Sequence, residues 1–124
     1  MNIKEKSEAA ISSILAATRN GDINWVRVDD PPELNDNTED IVKTAYYGKH
    51  KSQSLAVYTL LAKRWLDEDY YVWDSTATVA ICAGRKPVWE FPYTIFTEDL
   101  HEAVVLKGCD IEGKLEELID EDFC

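Results

Sequence analysis

The chain has 124 residues, a formal net charge of -11 and 45% hydrophobic residues. At this length roughly two-thirds of the unfolded surface can be buried, enough for one core without metal or disulfide staples. So acidic a surface repels nucleic acid and anionic lipid and favours cationic partners, so direct nucleic-acid binding and membrane binding are not expected.

A single domain over residues 1–124 is expected. No run approaches the ~20 apolar residues that a membrane span needs. The start, Met1-Asn2-Ile3-Lys4-Glu5-Lys6, leads into an amphipathic stretch and not into the apolar region of a secretory signal. Cys82, Cys109 and Cys124 have no metal-type spacing. They read as free thiols of a cytoplasmic protein.

Ile11, Ile14, Leu15 and Thr18 repeat at i, i+3, i+4, i+7, which predicts a helix over Ile3–Arg19. Asn20-Gly21 ends it, with Gly21 in the left-handed position. Ile23 to Val28 reads as a short strand. Asp29 to Asp40 reads as a loop, marked by Pro31-Pro32 and carrying six acids and no base.

Ile41 to Tyr47 is a strand and Gly48-Lys49-His50-Lys51 a turn. Ser54 to Arg64 is the next strand, with a bulge or helical turn allowed after Thr59, where alternation fails. Asp67-Glu68-Asp69 is a polar turn before Tyr70-Tyr71-Val72-Trp73. Thr76 to Cys82 is β-branched and strand-like. Ala83-Gly84-Arg85-Lys86 turns the chain into Pro87 to Pro92, whose two prolines suit a brief or edge strand.

The end is helical. Thr97 is the expected N-cap, Leu100, Ala103 and Val104 face the core, and Gly108 stops the helix. Asp110 opens a last helix with an apolar stripe of Ile111, Leu115, Leu118 and Ile119. The whole predicts an α+β fold: an N-terminal helix, an antiparallel sheet of about five strands and two C-terminal helices, with the helices on one sheet face.

Charge is segregated. Ile41 to Leu66 holds Lys43, Lys49, Lys51, Lys63 and Arg64 and no acid. Asp67, Glu68 and Asp69 follow at once, and the last helix carries Glu116, Glu117 and Asp120 on its polar face. Exposed ion pairs contribute only about 0–1 kcal/mol each, so internal compensation explains little of this excess. Solubility is the plain alternative.

Few residues offer chemistry. His50 sits in a lysine-flanked turn, and His101 has no nucleophile or second ligand paired with it in sequence. The Asp67-Glu68-Asp69 triplet lacks the alternating spacing of a calcium loop, and the glycines form no phosphate cradle. No metal, cofactor or catalysis is expected. The aromatic group Tyr46-Tyr47, Tyr70-Tyr71, Trp73, Trp89, Phe91 and Tyr93 is expected to be mostly core. Each Tyr-Tyr pair should send one ring in and one out, and an outward ring at Tyr70-Tyr71 beside carboxylates suits a basic protein surface.

Gly21-Asp22-Ile23-Asn24-Trp25, Asp67 to Trp73 and Pro87 to Pro92, followed by an Asp-Leu helix start, resemble a group of small uncharacterised bacterial α+β proteins. That resemblance spans most of the chain and implies structure, not activity. In size, acidity and lack of catalytic groups the chain is also similar to bacterial immunity proteins, which neutralise a cognate toxin. They share no common motif, so no functional residue carries over.

The expected function is therefore a non-catalytic binding protein, an immunity protein or antitoxin that blocks a basic toxin such as a nuclease. Its candidate contacts are Asp67, Glu68, Asp69, Tyr70, Glu116, Glu117 and Asp120. One alternative is a phage or mobile-element inhibitor that mimics nucleic acid against a host DNA-binding protein. Another is a small ligand-binding domain or enzyme with a Trp- and Tyr-lined pocket, favoured if His101 faces a cavity.

Overall fold

A computed structural model describes residues 2–36, 38–108, 115 and 117–119. Helix α1 spans Ile3–Arg19, the predicted bounds. Asn2 caps it by accepting the Glu5 N–H at 2.9 Å. At its other end Gly21 has φ +77°. There Asp22 N–H donates to Ala17 O and Gly21 N–H to Thr18 O, which closes a Schellman motif.

The strands are β1 (Val26–Asp29), β2 (Thr44–His50), β3 (Gln53–Trp65), β4 (Tyr71–Ala83) and β5 (Lys86–Glu90). They form one five-stranded sheet in sequence order. Every neighbouring pair is antiparallel. Helix α3 (Thr97–Gly108) follows, and residues 115 and 117–119 are helical again. The architecture is thus α+β, as the pattern predicted.

The helices cover one face of the sheet. Ile11, Ile14 and Leu15 of α1 and Leu100 and Val104 of α3 pack on Tyr46, Leu55, Val57 and Val79. Trp25 joins them, and its indole N–H donates to Thr18 Oγ1 at 3.1 Å. The opposite face has a smaller core of Val42, Ala45, Ala56, Tyr58, Ala80 and Cys82. Its cover is the acidic loop, which contains a single helical turn, α2 (Pro32–Asn35). Leu34 packs on that core, and Asn35 accepts the Val42 N–H at 2.7 Å and donates to Val42 O at 2.9 Å.

Several local expectations are corrected. The β2–β3 turn is Lys51-Ser52, with φ +50° and +71°, so β2 continues through Gly48 to His50. β3 is continuous, without the helical turn allowed after Thr59. The segments Tyr70–Trp73 and Thr76–Cys82 belong to one strand. The start of α3 is organised by Thr94 as well as Thr97. Thr97 Oγ1 accepts the Thr94 N–H at 2.9 Å and Thr94 Oγ1 accepts the Phe96 N–H at 3.2 Å, the reciprocal logic of a capping box. Leu115, Leu118 and Ile119, read as part of one apolar stripe on the last helix, are exposed. The helix-covered face of the sheet is packed by α1 and α3. Ile111 lies outside the described residues.

Candidate functional site

The site is a projecting two-stranded arm. β3 and β4 pair from Ser54↔Cys82 out to Trp65↔Tyr71. β2 lines β3 only as far as Tyr58, and β5 lines β4 only as far as Ala80. One further bridge, Ile41↔Leu61, supports the base. Beyond it, Ala62–Trp65 and Tyr71–Asp74 have only each other as strand neighbours among the described residues, and Ser75 to Ala77 of β4 pair with β3 alone.

Main-chain direction follows from two observations. Ile41 and Leu61 exchange hydrogen bonds of 2.8 and 2.9 Å, and Phe91 N–H donates to Val79 O at 2.8 Å. In an antiparallel ladder, alternate residues share this outward direction. Trp73, Ser75 and Ala77 therefore aim their N–H and C=O groups at an open edge of β4. An edge of this kind is a template for a further strand.

The helix cover stops near the base of the arm. His101 Nε2 of α3 lies 2.9 Å from Thr59 Oγ1. Ala77, opposite Thr59, is buried, whereas Ser75, next outward on the same face, is exposed. Past that point the same face carries Lys63 opposite Trp73 and Trp65 opposite Tyr71. Trp65 and Tyr71 have centroids 4.9 Å apart, and Tyr71 and Trp73 meet edge-on at 5.8 Å. The Lys63 ammonium lies 4.6 Å from the Tyr71 centroid and 5.7–5.8 Å from the two indoles. These rings stay open to solvent: Trp65 is 54% exposed, Tyr71 38% and Trp73 43%. On the reverse face Arg64 pairs with Asp74 at 2.8 Å.

Leu66 to Tyr70 form the tip. Leu66 N–H and Asp67 N–H both donate to Tyr70 O, and Asp67 Oδ1 accepts the Asp69 N–H at 2.9 Å. Asp67, Glu68, Asp69 and Tyr70 are all exposed. Among the described residues the ion pairs are Arg27–Asp29 and Arg64–Asp74, so the tip acids stay outside both. The structure thus brings together Asp67, Glu68, Asp69 and Tyr70 on one loop. Glu117 is exposed on the later helical segment, and Glu116 and Asp120 lie outside the described residues.

The aromatic expectation needs correction. Tyr46 is buried, but Tyr70, Tyr71, Trp73, Trp89 and Tyr93 are exposed. Tyr46 and Tyr47 do point to opposite faces, yet Tyr47 packs against the second core, with its hydroxyl buried and unpaired. Tyr70 and Tyr71 are both outward, because Tyr70 precedes the strand and Tyr71 sits beyond the helix cover. Lys63, Trp65, Tyr71 and Trp73 were all absent from the sequence-derived contact set. The signal was a Lys-x-Trp and a Tyr-x-Trp pair flanking one acidic turn, period two on both strands.

His101 is half-buried and lines neither of two surface clefts of the fold. Burial holds its imidazole below the usual value, partly offset by Glu98. The Cys82 thiol is buried and pushed up by that burial. Among the described residues, no three His, Cys, Asp or Glu side chains converge to hold a metal, and no helix is long and apolar enough to cross a membrane. Compared with protein-family models, with curated proteins and with solved structures, the chain gives no match.

Proposed function

We propose that this chain is a non-catalytic binding protein that uses the β3–β4 arm to dock on a basic protein. The observation that supports this reading is the exposed block of Trp65, Tyr71 and Trp73 beside the acidic tip. Large aromatic anchors at the centre of a patch with charge at its rim are the usual anatomy of a protein interface. A solvent-facing aromatic block also costs folding free energy that a bound partner would recover by burying it.

The tip acids and the overall charge of -11 select a cationic partner and speed its approach. The specific form we favour is an immunity protein or antitoxin in the cytoplasm, covering the substrate groove of a basic toxin such as a nuclease. A mimic of nucleic acid acting on a host DNA-binding protein would use the same acids with less need of the rings. Substituting Trp65 and Trp73 together by Ser separates the two. It abolishes capture of a toxin held by aromatic anchors and leaves purely electrostatic capture intact.

A further inference from the structure

We infer that the cleft between α1 and the β2–β3 turn is a binding site for an amphipathic anion, an acyl chain of medium length ending in a carboxylate. The cleft encloses ≈ 400 Å³. That falls within the ~300–1,000 Å³ of small-molecule sites. Leu55, Ile81 and Phe91 form its floor, and α1 forms its wall. The wall leaves room because α1 presents the small side chains Ala9, Ala10 and Ser13 there beside Ile14, while Ile11 fills the core. The polar lining residues, Ser13, His50, Lys51 and Gln53, gather at the β2–β3 turn, and the rest of the lining is apolar, so the deeper part of the ligand must be apolar.

The rim chooses the head group. Ser13, His50 and Lys51 stand there, with Ser13 Oγ 3.4 Å from His50 Nε2. Among the described residues no carboxylate lines this cleft, in a chain of 24 Asp+Glu against 13 Lys+Arg. The sign reversal is local, and it complements a carboxylate. Lys51 is held in place by its turn: His50 pairs with Gln53, and Lys51 takes a left-handed φ of +50°. Asn or Gly adopts that conformation more cheaply than Lys does, so the turn itself does not call for a lysine. The proposal is independent of the arm, which lies at the other end of β3.

Isothermal titration of the full chain with decanoate, and separately with decyltrimethylammonium, tests it. Decanoate should bind one per chain and the cationic amphiphile should not saturate. Ala10→Met should abolish binding by filling the wall. Lys51→Glu, on an exposed turn, should weaken it by about threefold or more, within the range of an exposed ion pair, and Lys51→Arg should restore it. Circular dichroism checks that Ala10→Met folds; if it does not, Lys51→Glu alone decides. Equal binding of both amphiphiles, insensitivity to Lys51→Glu or no decanoate binding would each overturn the proposal. Absent binding with a dimer that dissociates on dilution would assign the cleft to a second copy of the chain.

Discussion

A Cβ at Gly48 would stand 2.8 Å from Trp25 Cε3 and 2.9 Å from Ile23 Cγ2. Both neighbours are buried, so neither can withdraw. Gly48→Ala should therefore destabilise the fold by about 1–3 kcal/mol, the cost of overpacking, as read by urea denaturation. Gly108 is in the same position over the Tyr46 ring, 2.7 Å from Cε1. Close approach explains that glycine as well as helix termination does. Thr18 carries a different load. It accepts from Trp25 Nε1 and donates to Ile14 O at 2.8 Å. Thr18→Val would orphan a buried indole N–H, at about 1–3 kcal/mol. At His101 burial favours the neutral ring, so the unfolded chain takes up a proton that the folded chain resists. The stability this contributes is present above the ordinary imidazole value of 6.5 and is lost as pH falls below it. A denaturation series from neutral to mildly acidic pH should show that loss, and His101→Gln should flatten it.

The arm shows what was legible in the sequence and what was not. α1 was readable because its apolar stripe and C-terminal glycine agree, and the Asn2 cap fixes its start in the fold. β4 looked like two segments because Asp74-Ser75-Thr76 interrupts its apolar run. In the fold that stretch lies on an uncovered arm, where Arg64 satisfies Asp74 and a polar residue costs nothing. Gly48 suggested a turn, but its lack of a side chain serves Trp25 inside a strand. The acidic tip was visible because consecutive carboxylates need no tertiary context. The aromatic block was not, since exposure of Trp65 and Trp73 depends on where α3 stops. The paired rings should hold the arm together by about 0.5–1.5 kcal/mol per contact. Trp65→Ser should thus accelerate amide exchange at Ala62, Arg64 and Val72, whose N–H groups face the partner strand of the arm, while leaving Ala56 and Ala80 protected, a local opening that global unfolding would not mimic.

At the scale of the whole molecule, charge and shape are divided between two ends. A sheet covered by helices on one face and by the acidic loop on the other supplies the rigid base. From it the arm carries rings and carboxylates into solvent. Steering by net charge acts on association and is screened by salt, whereas buried rings act on dissociation. Replacing Asp67, Glu68 and Asp69 by Lys should slow capture of the partner at low salt far more than at high salt. The most direct measurement is quantitative affinity capture from the native host with three baits: the wild-type chain, the Trp65→Ser/Trp73→Ser double variant and the tip-reversal variant. The docking account predicts one basic protein held near stoichiometry by the wild type in high salt and lost from the double variant. Equal retention of that protein by all three baits would contradict it.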